Sequence, residues 1–238
     1  MNRIAVIKSL LQRTKAKVYV EIGVDTGYVF FSLDAPVKAK IAVDPEFRFP
    51  FRAWLRTKLK PGNAKYFQVT SDQFFAEQKA MLRQDGIDVA FVDGLHTYKQ
   101  CYQDIVNCLE YLNDGGFIVV HDVNPPNAAC ESPVGAAQQE VLEKAAKGEI
   151  PDWTGAWTGD VWKSIAMLRT RKDLQVFTID SDWGIGIITK GTPETVLNLS
   201  LPAIEAMSYD DLAKNRYELI NLKPSHYFFE FLQEKYRK

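Results

Sequence analysis

The stretch VYVEIGVDTG, residues 18–27, is the part of this 238-residue chain that decides its fold. It predicts a short strand, residues 18–22, that runs directly into a turn containing Gly23 and Gly27. Glycine lets a chain turn tightly and approach a ligand closely, because it has no Cβ. In a doubly wound sheet, ligands bind at this first strand-to-helix turn. The E-x-G-x-x-x-G spacing differs from the dinucleotide fingerprint and from the phosphate-binding loop, so it favours a ligand without a pyrophosphate.

The rest of the first half alternates between apolar runs and helical patterns. Four further runs are short and rich in β-branched or aromatic residues: 41–43, 66–69, 89–92 and 117–120. Such runs are typical of parallel strands that are covered on both faces. Strands that alternate with helices predict right-handed βαβ units, and therefore an α/β class with a doubly wound, mostly parallel sheet.

Local signals mark the ends of two helices in this half. Ser71 is expected to cap a helix over residues 71–82. Thr97 and Gln100 form a capping box that is expected to begin the next helix, and Gly115–Gly116 is expected to end it.

The second half changes in character, and we expect it to complete a single domain of residues 1–238. Residues 175–179 and 184–189 predict an antiparallel hairpin, and residues 134–146 predict a helix. The expected parts of the domain are an N-terminal helix (1–16), a cofactor-binding half (17–123), an insertion on the acceptor side (124–173), the strand hairpin (174–191) and a C-terminal helical region (202–238).

Composition is ordinary for a globular enzyme. The formal net charge of −1 provides no global positive field that would recruit nucleic acid. The N-terminal segment predicts an amphipathic helix that is too broken for a signal peptide and too short for a membrane span. The three cysteines have neither a zinc-ribbon spacing nor the even number of a disulfide framework. We therefore expect a cytoplasmic protein with no nucleic-acid partner and no membrane partner.

An acid follows the second predicted strand. Asp44 lies roughly twenty residues after the glycine turn, where a carboxylate can accept hydrogen bonds from ribose hydroxyls. Each of these residues alone could be an ordinary turn glycine or strand-end charge. Their order along the chain favours a ligand that carries a nucleoside.

Four segments together resemble a known family: VYVEIGVDTG, IAVDP, FVDGLHTYKQ and LNDGGFIVVHDV. They are similar to class I S-adenosylmethionine-dependent methyltransferases, and more narrowly to small-molecule O-methyltransferases of the macrocin and cephalosporin-biosynthesis type. The resemblance covers about residues 17–123. It implies a Rossmann-like methyltransferase fold with a seven-stranded sheet in the order 3-2-1-4-5-7-6, in which strand seven is antiparallel.

The resemblance also implies S-adenosylmethionine as the cofactor and a set of binding residues. All of them lie at or after strand ends: Glu21, Gly23, Gly27, Asp44, Ser71, Asp72 and Asp93. The first three would form the loop beneath the methionine and ribose part. Asp44 would bind the ribose hydroxyls, Ser71 and Asp72 would lie near the adenine, and Asp93 would lie beside the methionine part. We expect a bulky residue in place of Gly23 to abolish cofactor binding without unfolding the domain.

Polar residues also mark the expected reacting end. Asp93 closes the fourth predicted strand, and His121-Asp122 closes the fifth. Two carboxylates and an imidazole could hold a divalent cation such as Mg²⁺, Mn²⁺ or Ca²⁺. Such an ion would bind an acceptor hydroxyl and lower its pKa. The implied relatives often carry two acids, or an acid and an amide, after strand five. His121 replaces the first of these, so the sequence leaves the metal open.

A metal-free mechanism needs only a general base. His96 or His121 has an ordinary pKa near neutrality and could accept a hydroxyl proton. Asp93, His96 and His121 are therefore the catalytic candidates. Two structural interpretations stay open: His96 could hold the start of its helix, and His121-Asp122 could orient the strand-end loop.

The segment WTGAWTGDVWK, residues 153–163, is dense in tryptophan. Its aromatic rings beside Asp160 and Lys163 are expected to cap an acceptor pocket, because pockets combine apolar walls with a few polar groups. The alternative is that the tryptophans are core or interface anchors.

The leading hypothesis is an enzyme that methylates a hydroxyl of a small molecule, such as a sugar, a polyol or a natural product, with Mg²⁺ or Mn²⁺ as an optional aid. One alternative is a relative that keeps the cofactor fold but performs hydroxylase-like chemistry. Another is a non-catalytic nucleoside-binding module. A homodimer is compatible with the sequence, but the oligomeric state and the methyl acceptor are not encoded in it.

Overall fold

A computed structural model describes residues 1–59, 62–132 and 138–237 of the chain. They form two compact units. The N-terminal unit contains Asn2–Leu95 and Cys101–Val119, and the C-terminal unit contains Met1, His96–Gln100 and the chain from Val120 onward. Whether these units make one domain stays a prediction.

The described residues contain eight strands. They are β1 (Val18–Ile22), β2 (Ala39–Val43), β3 (Ala64–Phe67), β4 (Ile87–Val92), β5 (Leu112–Val120), β6 (Leu174–Ile179), β7 (Ile185–Lys190) and β8 (Leu222–Lys223).

Twelve helices are also described. They are α1 (Arg3–Arg13), α2 (Tyr28–Ser32), α3 (Phe51–Leu59), α4 (Ser71–Glu77), α5 (Lys79–Asp85), α6 (Tyr98–Tyr111), α7 (Ala128–Glu131), α8 (Gln138–Ala146), α9 (Trp162–Leu168), α10 (Leu201–Glu205), α11 (Tyr209–Leu219) and α12 (Tyr227–Lys235). The first part of the helix predicted at 134–146 lies outside the described residues.

The N-terminal unit is built on parallel strands. β1 lies between β2 and β4 and pairs with both in parallel, and β3 extends the sheet from β2. Every residue of β1 is buried, as is nearly all of β4. This burial explains the continuous apolar runs in the sequence, because parallel strands are covered on both faces. The parallel pairing sends the ends of β1, β2 and β4 to the same edge of the sheet.

The C-terminal unit contains the predicted hairpin. β6 and β7 pair antiparallel, from Leu174 opposite Lys190 to Ile179 opposite Ile185. A two-residue strand, β8, adds to β6 in parallel. The complete strand order is β3-β2-β1-β4-β5-β7-β6-β8. The α/β class, the mostly parallel sheet, the order of the first seven strands and the antiparallel seventh strand are confirmed, and β8 is an addition that the sequence did not predict.

The predicted C-terminal boundary of α6 is wrong. The helix ends at Tyr111, and Gly115–Gly116 lies inside β5 instead of ending the helix. A Cβ at Gly116 would come within 2.9 Å of the Asp88 backbone oxygen, so this glycine serves strand packing. At the start of α6, the Tyr98 amide donates to Asp160 Oδ1 at 2.8 Å, so an acid far along the chain contributes to the N-terminal cap.

The helix predicted over residues 71–82 is two helices, α4 and α5, which meet at Gln78. The N-cap of α4 is Thr70, whose side chain accepts from the Gln73 amide at 3.2 Å. Ser71 is therefore the first helical residue and not the cap. The residues predicted as the third strand are also displaced, since β3 spans Ala64–Phe67.

Candidate active site

The glycine turn after β1 is held against neighbouring strand ends. Gly23 has φ +80° and its amide donates to the Val43 oxygen at 3.0 Å. A Cβ at Gly23 would lie 2.1 Å from the Asp93 backbone oxygen and 2.5 Å from the Gly94 Cα. Gly27, with φ +79°, would place a Cβ 2.4 Å from the Phe31 ring. Both glycines are therefore required by the packing of the loop itself.

Asp44 organises the same loop. Its carboxylate is buried, and Oδ2 accepts from the amides of Val24 and Asp25 at 2.7 and 2.8 Å. Oδ1 accepts from the Glu46 amide at 2.7 Å. A carboxylate oxygen can accept more than one hydrogen bond. Oδ1 can therefore accept a ligand hydroxyl while the other contacts hold the turn.

Glu21 lies inside the strand and is wholly buried. The Tyr19 hydroxyl donates to its Oε2 at 2.5 Å. Burial raises the pKa of Glu21 to about 8, although the Tyr19 hydrogen bond and the charge of Lys40 act in the opposite direction. Glu21 is therefore largely protonated at neutral pH.

This protonation makes the stability of the protein depend on pH. The folded-state pKa of Glu21 lies above the ordinary value of 4.5. The stabilising contribution of Glu21 to the free energy of unfolding is therefore fully present below pH 4.5 and is lost as the pH rises to about 8. Glu21 alone changes the free energy of unfolding by at most about 1.4 kcal/mol per pH unit. Glu21→Gln should flatten the free energy of unfolding measured by urea denaturation across this window. Glu149→Gln, at an exposed acid, should leave the slope as it is; equal slopes in wild type and Glu21→Gln would contradict the assignment.

The N-terminal unit thus brings together four of the residues predicted for the cofactor: Glu21, Gly23, Asp44 and the backbone of Asp93. The Asp93 amide donates to the Ile22 oxygen at 2.9 Å, which ties the end of β4 to the end of β1. Ser71 and Asp72 lie separately, in the first turn of α4, where Ser71 is half-buried and Asp72 is exposed.

In the C-terminal unit, two histidines and two aspartates form a continuous chain of contacts. His96 Nε2 lies 3.2 Å from Asp122 Oδ2, and His121 Nδ1 lies 3.1 Å from Asp122 Oδ1. On its other side, His121 Nε2 lies 3.7 Å from Asp182 Oδ1. His121 and Asp122 are buried. Asp122 has φ +61°, a conformation that non-glycine residues adopt rarely and that is found at functional sites.

The contact made by Nδ1 of His96 determines which of its ring nitrogens carries a hydrogen. His96 Nδ1 lies 2.8 Å from the Trp157 backbone oxygen, which can only accept, so Nδ1 carries the hydrogen. Nε2 then faces a carboxylate oxygen of Asp122. Two acceptors at 3.2 Å are stable together only when a proton or a cation lies between them. The pair can therefore hold a proton on the imidazole or share a metal ion.

Sequence reasoning missed three residues that build this arrangement: Trp157, Gly159 and Asp182. A Cβ at Gly159 would lie 1.8 Å from the His96 oxygen, so only glycine allows the two backbones to approach. Trp157 acts through its backbone oxygen, and Asp182 lies in the turn between β6 and β7, so neither role is encoded by residue type.

The structure supports the core interpretation for Trp162, whereas the pocket interpretation of Trp153 and Trp157 stays a prediction. Trp162 is wholly buried, and its Nε1 donates to Glu131 Oε1 at 2.7 Å. Trp153 and Trp157 pack against a small apolar core formed by Ala129, Val141 and Ile150. The ring of Trp157 also lies beside His96, with ring centroids 5.0 Å apart. Burial of this segment also raises the pKa of Asp160.

An open cleft of about 500 Å³ lies at the turn between β6 and β7. Its walls include Asp180, Asp182, Trp183, Arg216 and Tyr217. Asp182 and Trp183 have φ values of +52° and +55°, which is unusual for a bulky residue such as tryptophan. Trp183 is 46% exposed, and its ring stands edge-on to the ring of His121 at 6.2 Å. The cleft therefore adjoins the histidine–aspartate chain.

Residues 20–123 match the family model of a methyltransferase domain. No curated protein matches the sequence.

Three solved structures show the same fold at low identity. A Klebsiella pneumoniae protein proposed to be an O-methyltransferase is 12% identical, with 80% of each chain covered and a TM-score of 0.56. The O-methyltransferase TomG from Streptomyces achromogenes, in complex with SAM, is 19% identical, with 78% of each chain covered and a TM-score of 0.52. The SAH-bound methyltransferase PaMTH1 of Podospora anserina is 13% identical, with 79% of this chain and 78% of that chain covered and a TM-score of 0.53.

Proposed function

We propose that the chain is an S-adenosylmethionine-dependent O-methyltransferase that acts on a small-molecule hydroxyl, because residues 20–123 match the family model of a methyltransferase domain. The observation that carries the proposal is the glycine turn after β1, which Asp44 holds through the Val24 and Asp25 amides inside the matched segment. The TomG and PaMTH1 structures contain SAM and SAH, which supports this cofactor.

The residues of the N-terminal unit fit S-adenosylmethionine. Asp44 Oδ1 has capacity for a ribose hydroxyl, and Gly23 and Gly27 keep side chains out of the turn. Glu21 and Asp93 lie at the same strand ends and are proposed to border the methionine part. Ser71 and Asp72 keep the proposed adenine role. When bound, the cofactor supplies a methyl group activated by a sulfonium.

The histidine–aspartate chain is proposed to receive the proton of the acceptor hydroxyl. In the metal-free form, the His96–Asp122 pair first releases its shared proton to solvent. His96 Nε2 then takes the proton of the acceptor hydroxyl, and Asp122 stabilises the imidazolium that forms. His121 holds Asp122 from its other oxygen. These histidine and aspartate side chains are not needed for nucleoside binding, so a non-catalytic nucleoside-binding module is not favoured. No feature of the site favours hydroxylase-like chemistry.

A divalent metal, Mg²⁺ or Mn²⁺, is a finer part of the proposal. Metal-binding imidazoles donate their second N–H to a carbonyl or carboxylate, as His96 does toward Trp157. Asp122 offers the oxygen that these ions prefer. His121 has a carboxylate oxygen near each ring nitrogen, so His96 fits a ligand role better. Asp93 is kept as a proposed ligand. The chemistry supplied there would be Lewis-acid polarisation of the acceptor hydroxyl.

The cleft at the turn between β6 and β7 supports a polyol or sugar as the acceptor. The exposed face of Trp183 offers an apolar platform, and the carboxylates of Asp180 and Asp182 accept hydrogen bonds from hydroxyls. An aromatic wall with a few polar groups is the usual make-up of a ligand site. A small-molecule acceptor is compatible with the methyltransferase family; a homodimer remains a proposal.

A screen for SAH release tests the function, with methyl glycosides, free monosaccharides and inositol as acceptors and catechol as an aromatic diol. Turnover with a polyol is expected. Trp183→Leu should raise KM for that polyol about tenfold with little change in kcat, because it removes a stacking surface. Trp54→Leu changes an equally exposed tryptophan of the N-terminal unit and should leave KM unchanged.

The outcomes separate the parts of the proposal. Turnover of catechol alone would contradict the polyol assignment but keep the methyltransferase. Equal KM values for the two tryptophan variants would contradict the cleft. No SAH release with any acceptor would contradict the function.

A further inference from the structure

A basic stretch surrounds α3. Residues 47–71 contain six basic residues and no acidic residue, in a chain whose net charge is −1. The bases are Arg48, Arg52, Arg56, Lys58, Lys60 and Lys65. Arg48 forms an ion pair with Glu46 at 3.1 Å, so the charge of α3 itself comes from bases such as the exposed Arg52 and Lys58. The composition of the whole chain conceals this local excess of positive charge.

The large apolar side chains of α3 face outward. Phe51 and Leu59 are 73% and 71% exposed, and Trp54 and Leu55 are 46% and 38% exposed. At about 100° per residue, these four side chains fall within an arc of about 140° on one face. The small residues on the opposite side of the helix, Ala53 and Thr57, are partly buried. This is the reverse of an ordinary surface helix, whose apolar face turns toward the core.

The packing around β3 explains why α3 is left with this outward face. Phe47 and Phe49 precede the helix, and their rings pack against one another at 4.8 Å and against Tyr66 of β3 at 6.0 and 5.9 Å. Phe49 also contacts the Phe31 ring at 5.0 Å. This aromatic cluster supplies the apolar packing that a connecting helix would otherwise provide. The apolar face of α3 is therefore available for something outside the chain.

The positive charge of α3 distinguishes among the partners that could cover its apolar face. In a symmetric contact between two copies, the same patch meets itself, so Arg52 and Lys58 of both copies would come together without an acid on α3 to pair with them. A single-stranded nucleic acid binds along a basic groove, whereas α3 presents a convex face with Leu55 and Leu59. Bases beside tryptophan, phenylalanine and leucine are the composition of a helix that lies in the interface of an anionic bilayer.

We propose that α3 docks this protein on an anionic membrane surface, with Phe51, Trp54 and Leu59 entering the headgroup region. Phe51 and Trp54 stack with ring centroids 6.2 Å apart and form one apolar wedge. Lys58 lies within the apolar arc, where its long side chain can extend its ammonium group to the lipid phosphates. Among the described residues, none of the helices has the length and apolar character of a membrane span. The proposed docking departs from the expectation, based on overall composition, of no membrane partner.

Flotation of the full-length protein with lipid vesicles tests the proposal. Vesicles of phosphatidylcholine with phosphatidylglycerol should bind the protein, and phosphatidylcholine alone should bind it much less. Binding should fall as salt is raised, because the attraction between charges is screened. The double variant Arg52→Gln, Lys58→Gln should lower the partition coefficient about 25-fold, from about fivefold per charge near the surface. Lys147→Gln, Lys172→Gln removes two exposed charges of the C-terminal unit and should leave it near the wild-type value.

Two further variants test whether the apolar side chains of α3 contribute to vesicle binding in addition to its charge. Phe51→Ser, Leu59→Ser should weaken binding to anionic vesicles and leave the melting temperature unchanged, because both side chains are exposed. Phe229→Ser, at an exposed apolar residue of α12, is the control and should bind as wild type does. Absence of wild-type binding to anionic vesicles would overturn the proposal, as would binding that both α3 variants retain. Self-association in sedimentation that the Phe51→Ser, Leu59→Ser variant abolishes would assign the face to a second copy.

Discussion

Replacing Asp122 by Asn is expected to lower kcat for methyl transfer by about 10²- to 10⁴-fold, the usual contribution of a positioned acid–base group. Asp122 contacts His96 through one oxygen and His121 through the other, at 3.2 and 3.1 Å. Asn keeps the shape but loses the negative charge that stabilises an imidazolium on either side. It also offers a weaker ligand to a divalent metal. The rate of SAH formation with a polyol acceptor measures the loss.

The matched control for this change is Asp210→Asn, at an exposed acid of α11. It should leave kcat unchanged. Both variants should melt within a few degrees of the wild type, because a single-atom change leaves packing intact. If Asp122→Asn retains wild-type turnover while it remains folded, the histidine–aspartate chain is structural, and the proton acceptor must be sought elsewhere.

Replacing Gly23 by Ala is expected to destabilise the fold by about 2 to 5 kcal/mol. A left-handed backbone costs a residue with a Cβ about 1 to 2 kcal/mol, and forcing an extra methyl into packed structure costs about 1 to 3 kcal/mol more. Here the methyl would lie 2.1 Å from the Asp93 oxygen, which is a backbone atom and cannot rotate away. The expectation that a bulky residue at Gly23 removes cofactor binding without unfolding is therefore not supported by this packing.

Gly115→Ala provides the control for Gly23→Ala. Gly115 has nearly the same φ, +75°, but a Cβ there would meet nothing within 4 Å. Its cost should be limited to the backbone term of about 1 to 2 kcal/mol. Urea denaturation of the two variants measures the difference. Equal losses of stability would mean that the loop can move away from β4. The steric role of Gly23 in folding would then be contradicted, and only its role in ligand binding would be left to test.

The sequence predicts the N-terminal unit well because its signals are local and strong. The continuous apolar runs of β1 and β4 correspond to burial on both faces. The match of residues 20–123 to a methyltransferase-domain model agrees with the resemblance seen in this half of the sequence. Predictions were wrong where a distant partner decided the outcome. The register of β3 is set by its pairing with β2, from Lys40 opposite Ala64 to Val43 opposite Phe67.

The candidate site was predicted by residue type better than by geometry. His121 and Asp122 were identified from their place after an apolar run, and His96 from its place before a helix. Their connection depends on Asp122 having a left-handed backbone and on Gly159 admitting the His96 oxygen. Neither condition can be deduced from a local pattern. The burial of Trp162 cannot be deduced from a local pattern either, because the fold brings Glu131 to its Nε1.

The central claim is that the glycine turn and Asp44 bind S-adenosylmethionine, and calorimetric titration tests it most directly. The protein should be titrated with S-adenosylmethionine and S-adenosylhomocysteine, each with Mg²⁺ and with a chelator. We predict binding of both compounds in the micromolar range, with Asp44→Asn weakening it by at least about tenfold, since the variant loses a charged acceptor for the ribose. Absence of binding to either compound, under both metal conditions, would contradict the account.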